Sequence, residues 1–300
     1  MCIRDSLLAE HTDIPDGVFN VVTASDPAIG ELLTADPRVD MISFTGSTAV
    51  GRRIMEVASQ NLTKVFLELG GKSVSLVLDD VEDFSIAAVN AAFGTATVAG
   101  QGCALTTRIL LPRARYEEGV TAIAEMMATI EPGDPNDDGT MMGPLISEQQ
   151  LQRVDGYVQG AIADGARVAC GGSRFNHPEH PGGFYYPLTL LADVTNDMTV
   201  AQEEVFGPVL VAIPYDTQDD AIAIANDSIY GLSGAVFSAS NEWAVAVGQR
   251  IRTGTMSING GVWYGPDVPF GGYKQSGLGR EMGLAGFEEY LETKAYAQPA

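Results

Sequence analysis

The sequence has 300 residues, of which 45% are apolar and 19% charged, enough to bury a substantial core and to fill more than one domain. Its 17 Lys and Arg stand against 39 Asp and Glu, a formal net charge of −22. A surface that acidic repels phosphate backbones and anionic lipid, which argues against nucleic-acid and membrane-surface roles, and the apolar fraction argues against disorder.

Taken in chain order, the segments alternate in period. Val39–Phe44 reads as a short strand, followed by the turn Thr45-Gly46-Ser47-Thr48 and a helix over Ala49–Gln60. Lys64–Leu69 reads as a second strand closed by Gly70-Gly71, making a βαβ unit with a parallel sheet as its natural form. Val74–Asp80 is a third strand, and a helix from Phe84 to Val98 ends at Gly100 and Gly102. Thr106–Pro112 reads as a strand and Tyr116–Ile130 as a helix. Ser147 with Gln150 makes a capping box for a helix that runs to Asp164. Strands near Val209–Pro214, Leu232–Ser238 and Gly254–Asn259 alternate with helices near Asp219–Asn226 and Asn241–Ile251. The alternation predicts an α/β fold with mostly parallel sheets. Only two strands precede Gly70-Gly71, fewer than a doubly wound sheet needs, so either that sheet is small or the chain begins in mid-domain.

Cys2, Cys103 and Cys170 are an odd, widely spaced set without CxxC, which fits a reducing compartment; the expected location is cytoplasmic. No apolar run reaches transmembrane length, and the leader MCIRDS lacks the apolar region of a secretory signal. Several apparent motifs fail on spacing. Gly70–Ser73 resembles the end of a P-loop, but Phe66 stands where its first glycine belongs. Asp134–Gly139 resembles a calcium loop, but Leu145 occupies the position of the bidentate Glu. His177 and His180 lack enough neighbouring ligands for zinc, so no metal is expected. Gly277–Met282 lacks the third glycine of a dinucleotide fingerprint, and no GxSxG is present.

Four stretches survive, each with a plainer alternative. Phe44–Gly51 runs strand, Gly-Ser-Thr, helix, which suits a pyrophosphate at a helix N-terminus, or is a capped turn. Glu68 interrupts an apolar strand; reduced solvation there raises a carboxyl pKa and suits proton abstraction, unless it is merely ion-paired. Cys103 lies in a Gly-flanked loop that can expose its sulfur and its N–H together, as nucleophile and oxyanion donor, or it is a small buried residue. Gln202–Leu210 sets two carboxylates before Phe206 and a Gly-Pro turn, which suits ribose hydroxyls and a flat ring, or is a solvated turn.

In order and spacing, GSTxxG at Gly46–Gly51, LELGGKS at Leu67–Ser73, GQxC at Gly100–Cys103, EEVFGP at Glu203–Pro208 and PFGGYKxSGxGRE at Pro269–Glu281 together resemble the NAD(P)-dependent aldehyde dehydrogenase superfamily. The resemblance covers nearly the whole chain. It implies an aldehyde dehydrogenase-like α/β fold, with part of a Rossmann-type nucleotide-binding domain over residues 1–70, a catalytic domain over 71–272, and over 273–300 a returning helix and an oligomerisation strand. It implies Cys103 as the nucleophile that forms a thiohemiacetal and then a thioester, and Glu68 as the base that activates the hydrolytic water. Gly46 and Ser47 are the implied pyrophosphate contacts and Leu69 a contact near the nicotinamide. Glu204 is the implied carboxylate on the nicotinamide ribose, with Phe206 beside it, and Phe270 a wall of the substrate tunnel. The cofactor is NAD or NADP, the substrate a small aldehyde, and Tyr290–Ala297 the implied strand that pairs with a second copy in a homodimer or homotetramer.

Gly102 and Leu105 beside the cysteine depart from the commonest family choices without removing a reacting group. The larger departure is the start. The resemblance implies a longer preceding segment that carries the first strands, a ribose-gripping Lys/Glu region and an oxyanion Asn, so the expectation is a truncated chain with a foreign MCIRDS start and impaired activity. Three further readings compete: a catalytically silent binding or assembly module of the same fold, a CoA-acylating relative and a reductase relative. Glu68 favours water as acyl acceptor over the latter two.

Overall fold

A computed structural model describes residues 3–262 and 264–299; Cys2 lies outside the described residues. The chain divides into two compact units, one running to Ile42 and resuming over Arg52–Val65, the other comprising Ser43–Gly51 and the chain from Phe66 onward.

The first unit holds helices α1 (Ile3–His11) and α2 (Ala28–Ala35). Ile3–Ser6 of the leader fall within α1. Asp26 Oδ1 accepts the Ala28 N–H at 2.9 Å and so satisfies a donor at the start of α2. Arg53 forks onto Glu31 through Nε and Nη2, at 3.0 and 3.1 Å. Val18, Val22 and Leu32 of this unit are exposed. The division falls within β1 (Met41–Thr45), α3 (Thr48–Ala58) and β2 (Lys64–Glu68), the strand-helix-strand read from the sequence.

The second unit is built on a seven-stranded sheet. In chain order it contains β3 (Val74–Val77), α4 (Ser85–Ala96), β4 (Arg108–Pro112), α5 (Tyr116–Met127), α6 (Glu148–Ala163), β5 (Arg167–Cys170), β6 (Thr189–Ala192) and α7 (Thr199–Gln202). Then come β7 (Val209–Tyr215), α8 (Gln218–Asn226), β8 (Gly234–Phe237), α9 (Asn241–Gly248), β9 (Ser257–Ile258), β10 (Gly277–Leu278) and α10 (Gly283–Glu288). The sheet order is β5-β6-β7-β4-β3-β8-β9, parallel throughout except for β5 against β6. β3, β4, β6 and β8 are buried at every residue, as strands covered by helices on both faces must be. One continuous core joins Leu76, Ile109, Leu110, Leu190 and Val211.

β5 and β6 escape the sequence reading because one is a short, partly exposed edge and the other a short run hard against Pro187. The third strand of the small sheet is equally cryptic. In this unit the ends of β1 and β2 join β10 in the order β1-β2-β10, with Gly277 paired to Glu68 antiparallel. A strand from late in the chain thus supplies what the first two lack.

Helix α4 stops earlier than expected. It ends at Ala96, and Val98, Ala99 and Gly100 follow in the left-handed region, with φ of 46°, 53° and 71°. The reversal that precedes Cys103 therefore begins before the glycines, on two residues with side chains, and ends on Gly100. At the other end, Leu291–Pro299 carries no helix or strand, and the strand expected at Tyr290–Ala297 has no partner strand within the described chain. Among the described residues, no helix is long and apolar enough to cross a membrane.

Candidate active site

Parallel pairing of β3 and β4 brings two loops to one edge. Val74 is in register with Arg108, so Leu69–Ser73 and Gly102–Thr107 both enter the sheet at its amino-terminal edge. They touch at Gly71, where an added Cβ would lie 2.3 Å from the Cys103 carbonyl oxygen. The Gly71 N–H donates to Glu204 Oε1 at 3.0 Å, and a Cβ on Gly70 would lie 2.5 Å from Glu204 Oε2. Backbone leaves no room for a side chain at Gly71, and one at Gly70 would displace the Glu204 carboxylate. Ser276 fixes the turn from the other side: it accepts the Leu69 N–H on its carbonyl at 2.9 Å and donates its hydroxyl to Gly70 O at 2.7 Å.

A cleft of about 830 Å³ opens here. It gathers Cys103, Glu68, Gly46, Ser47, Leu69, Glu204 and Phe206, the residues singled out from scattered stretches of sequence. Phe270 does not line it. That ring is buried, its backbone is bridged to Glu281, and it meets Tyr264 edge-on at 6.3 Å between centroids.

The electrostatics of the cleft are set by burial. Glu68 is 1% exposed, and neither carboxylate oxygen has a hydrogen-bond partner. Desolvation pushes its pKa up to about 8; the Glu281 charge adds to this and Arg280 opposes it. Burial also pushes the Cys103 thiol up, with the Glu204 and Glu68 charges in the same direction, while the backbone N–H groups of Cys103 and Ala104 partly offset them. Glu204 is raised by burial and drawn back by the Gly71 N–H, Lys72 and Arg153.

Ser47 Oγ accepts the Val50 N–H at 3.3 Å at the start of α3, as the sequence suggested for a capped turn. The Gly46 N–H is taken by Glu68 O at 3.0 Å, so an anion at this corner would meet Ser47 and the first turn of α3. A cofactor with a pyrophosphate, a ribose and a flat ring is matched by this helix end, the Glu204 carboxylate and the exposed face of Phe206, which lines the cleft 39% exposed.

Helix α6 supplies contacts that sequence reasoning missed. Ser147 Oγ accepts the Gln150 N–H at 3.2 Å, half of the expected capping box. The Gln150 amide reaches away from the cap and donates to Phe206 O at 2.7 Å and Val205 O at 3.2 Å. Arg153 donates to Glu204 O at 2.8 Å. Gln150 and Arg153 are three apart and so share a helix face, which was the available signal; nothing local named the Glu204–Phe206 segment as their partner.

The α/β fold and the thiol-carboxylate cleft define an enzyme-like class, and comparison with known proteins names it. The model of the aldehyde dehydrogenase family matches residues 4–296, and the chain belongs to that family. A Staphylococcus haemolyticus relative that carries an aldehyde dehydrogenase name is 45% identical over 294 residues, covering 97% of this chain and 61% of that protein. The chain therefore spans about three-fifths of the length of such relatives. A Mycobacterium tuberculosis aldehyde dehydrogenase complexed with NAD+ is 47% identical, with a TM-score of 0.86 over 92% of this chain and 56% of that one. Betaine aldehyde dehydrogenase from Staphylococcus aureus, also in complex with NAD+, is 37% identical with a TM-score of 0.93 over 97% and 57%.

Proposed function

We propose that this chain carries the catalytic residues for oxidation of an aldehyde to a carboxylic acid with NAD or NADP, Cys103 being the nucleophile and Glu68 the base. The observation that carries the reading is the convergence of Cys103, Glu68 and Glu204 in one cleft of a family member. The domain division that accompanies it is a nucleotide-binding part over 1–70, a catalytic part over 71–272, and a returning helix and oligomerisation strand over 273–300. Tyr290–Ala297 would then pair with a second copy in a homodimer or homotetramer.

Ser47 and the α3 N-terminus beside Gly46 would hold the pyrophosphate, Glu204 the nicotinamide ribose, and Leu69 and Phe206 the ring. The nicotinamide, when bound, supplies the hydride acceptor. The Cys103 Sγ would add to the aldehyde carbon while the thiol proton passes to the carbonyl oxygen, giving a thiohemiacetal whose oxygen faces the Cys103 N–H. Loss of a hydride to the nicotinamide and of the hydroxyl proton to water would leave a thioester on the same sulfur. Glu68, as carboxylate, takes a proton from water; the resulting hydroxide attacks the acyl carbon, the C–S bond breaks, and the acid departs. A carboxyl with a pKa of about 8 is matched to this task. Phe270 remains a proposed wall of the substrate tunnel.

The test is acylation of the intact chain by an activated ester, read by peptide mass, together with NADH formation from an aldehyde and NAD. Acyl adduct at Cys103 and loss of both signals in Cys103→Ala are expected. Adduct at Cys170 instead, or aldehyde oxidation surviving in Cys103→Ala, sinks the reading.

A further inference from the structure

The segment Gly231–Ser233 leads into β8 and has no part in the chemistry above. In the sheet β3 lies between β8 and β4, with Val74 in register with Gly234 on one side and Arg108 on the other. Ser233, Ser73 and the loop that carries Cys103 therefore meet at the amino-terminal edge. Ser233 is 1% exposed. Its N–H donates to Ser73 Oγ at 3.2 Å, and its hydroxyl donates to the Ala104 carbonyl, reaching past the start of β3. Two residues earlier, the Gly231 N–H donates at 2.9 Å to the Ser276 hydroxyl, which itself donates to Gly70 O at 2.7 Å. One buried tripeptide thus holds the turn after Glu68 through Ser276 and the turn after Cys103 through Ser233.

Peptide units are planar and trans, so a carbonyl pinned on one side fixes the direction of the N–H in the same unit. The Cys103 carbonyl oxygen packs on Gly71, and the next carbonyl, of Ala104, is tied to Ser233. Two successive peptide planes are held in this way, with the Cys103 and Ala104 N–H groups turned to the Cys103 sulfur. We infer that Ser233 is a positioning residue for the nucleophile: its hydroxyl fixes the Cys103–Ala104 turn so that the N–H groups stay aimed at the sulfur and at the oxyanion formed beside it. The inference deepens the function proposed above and rests on Cys103 being its nucleophile. Ser233 does not line the cleft and acts through Ala104. Ser233→Ala removes that donor from the Ala104 carbonyl and frees the turn to rotate.

Two reactions of Cys103 in the full chain separate positioning from mere support. With p-nitrophenyl acetate the sulfur attacks a carbonyl carbon, an oxyanion develops, and p-nitrophenolate leaves as the thioester forms. With iodoacetamide it attacks a saturated carbon, iodide leaves as the C–S bond forms, and no oxyanion develops. Both consume thiolate, so the ratio of their rates at one pH cancels any change in its ionisation. Peptide mass reads each adduct at Cys103, and alkylation of Cys170 in the same chain reports general loosening. In Ser233→Ala the ratio of acetylation to alkylation at Cys103 is expected to fall about tenfold, with Cys170 alkylation unchanged. An unchanged ratio, or a fall matched by faster alkylation of Cys170, overturns the inference. Absence of acetylation at Cys103 in the unsubstituted chain overturns the proposed function and the inference with it, whereas acetylation with an unchanged ratio overturns the inference alone. Should Ser233→Ala not fold, Ser233→Cys decides: it is close in size and a weak donor, so the same fall in ratio is expected, and an unchanged ratio overturns the inference.

Discussion

The Glu204 carboxylate and the Gly71 N–H meet at 3.0 Å across 133 positions of sequence. The Cys103 carbonyl oxygen is also the atom nearest to a Cβ built on Gly71, so one residue touches both the nucleophile loop and the carboxylate loop. Gly71→Ala forces a methyl to within 2.3 Å of that oxygen, where neither backbone can yield cheaply. The expected outcome is a stability loss of about 1–3 kcal/mol, read as a lower urea midpoint. Aldehyde oxidation falls by on the order of 10²-fold, because misplacement of reacting groups is costly.

As the proposed base Glu68 would work only as a carboxylate, and burial pushes its pKa up to about 8. Thioester hydrolysis, measured by single-turnover decay of acylated Cys103, therefore rises with pH and levels off above about 8. Glu281→Gln removes a charge that pushes Glu68 up, so its midpoint moves to lower pH. A midpoint that stays in place after this substitution counts against the coupling.

The same group makes folding stability depend on pH. Between its ordinary value of 4.5 and about 8 the folded chain holds a proton at Glu68 that the unfolded chain has lost. Stability from this group is full below 4.5 and is lost as pH rises through about 8. Lys72 acts in the other direction over the next window, from about 7 to 10.5, where the unfolded chain holds the extra proton and stability rises with pH. Urea midpoints across pH are expected to lose the first slope in Glu68→Gln and the second in Lys72→Met.

Val98 sits at φ 46°, a conformation that crowds a β-branched side chain, and it is exposed, so nothing in the core rewards it. Val98→Asn and Val98→Gly are expected to stabilise the chain by about 1 kcal/mol, since left-handed backbone costs an ordinary L-residue roughly 1–2 kcal/mol. Thermal melting reads this as a rise of about 2–4 °C. An unchanged or lower midpoint in both variants argues that the turn relaxes in solution.

The α/β class, most strand and helix positions, and the residues that meet in the cleft were legible in the sequence. The strands rest on local facts, β3 and β4 being mainly apolar, whereas Cys103, Glu68 and Glu204 were singled out by the order and spacing of five motifs. β5, β6 and β10 were not legible: β5 is a partly exposed edge, β6 a short run hard against Pro187 and β10 two residues, so each is defined by a partner remote in sequence. The capping-box reading at Gln150 was half right for the same reason. Its backbone obeys the local rule, while its side chain answers to Val205 and Phe206, far along the chain. Local sequence decided which segments are apolar and which polar groups interrupt them. Tertiary structure alone decided that Glu68 is stripped of hydrogen bonds, that Lys72 is buried with its Nζ unpartnered, and that Gly71 joins Glu204 to Cys103, because desolvation and close contact depend on distances that only the packed sheet edge creates.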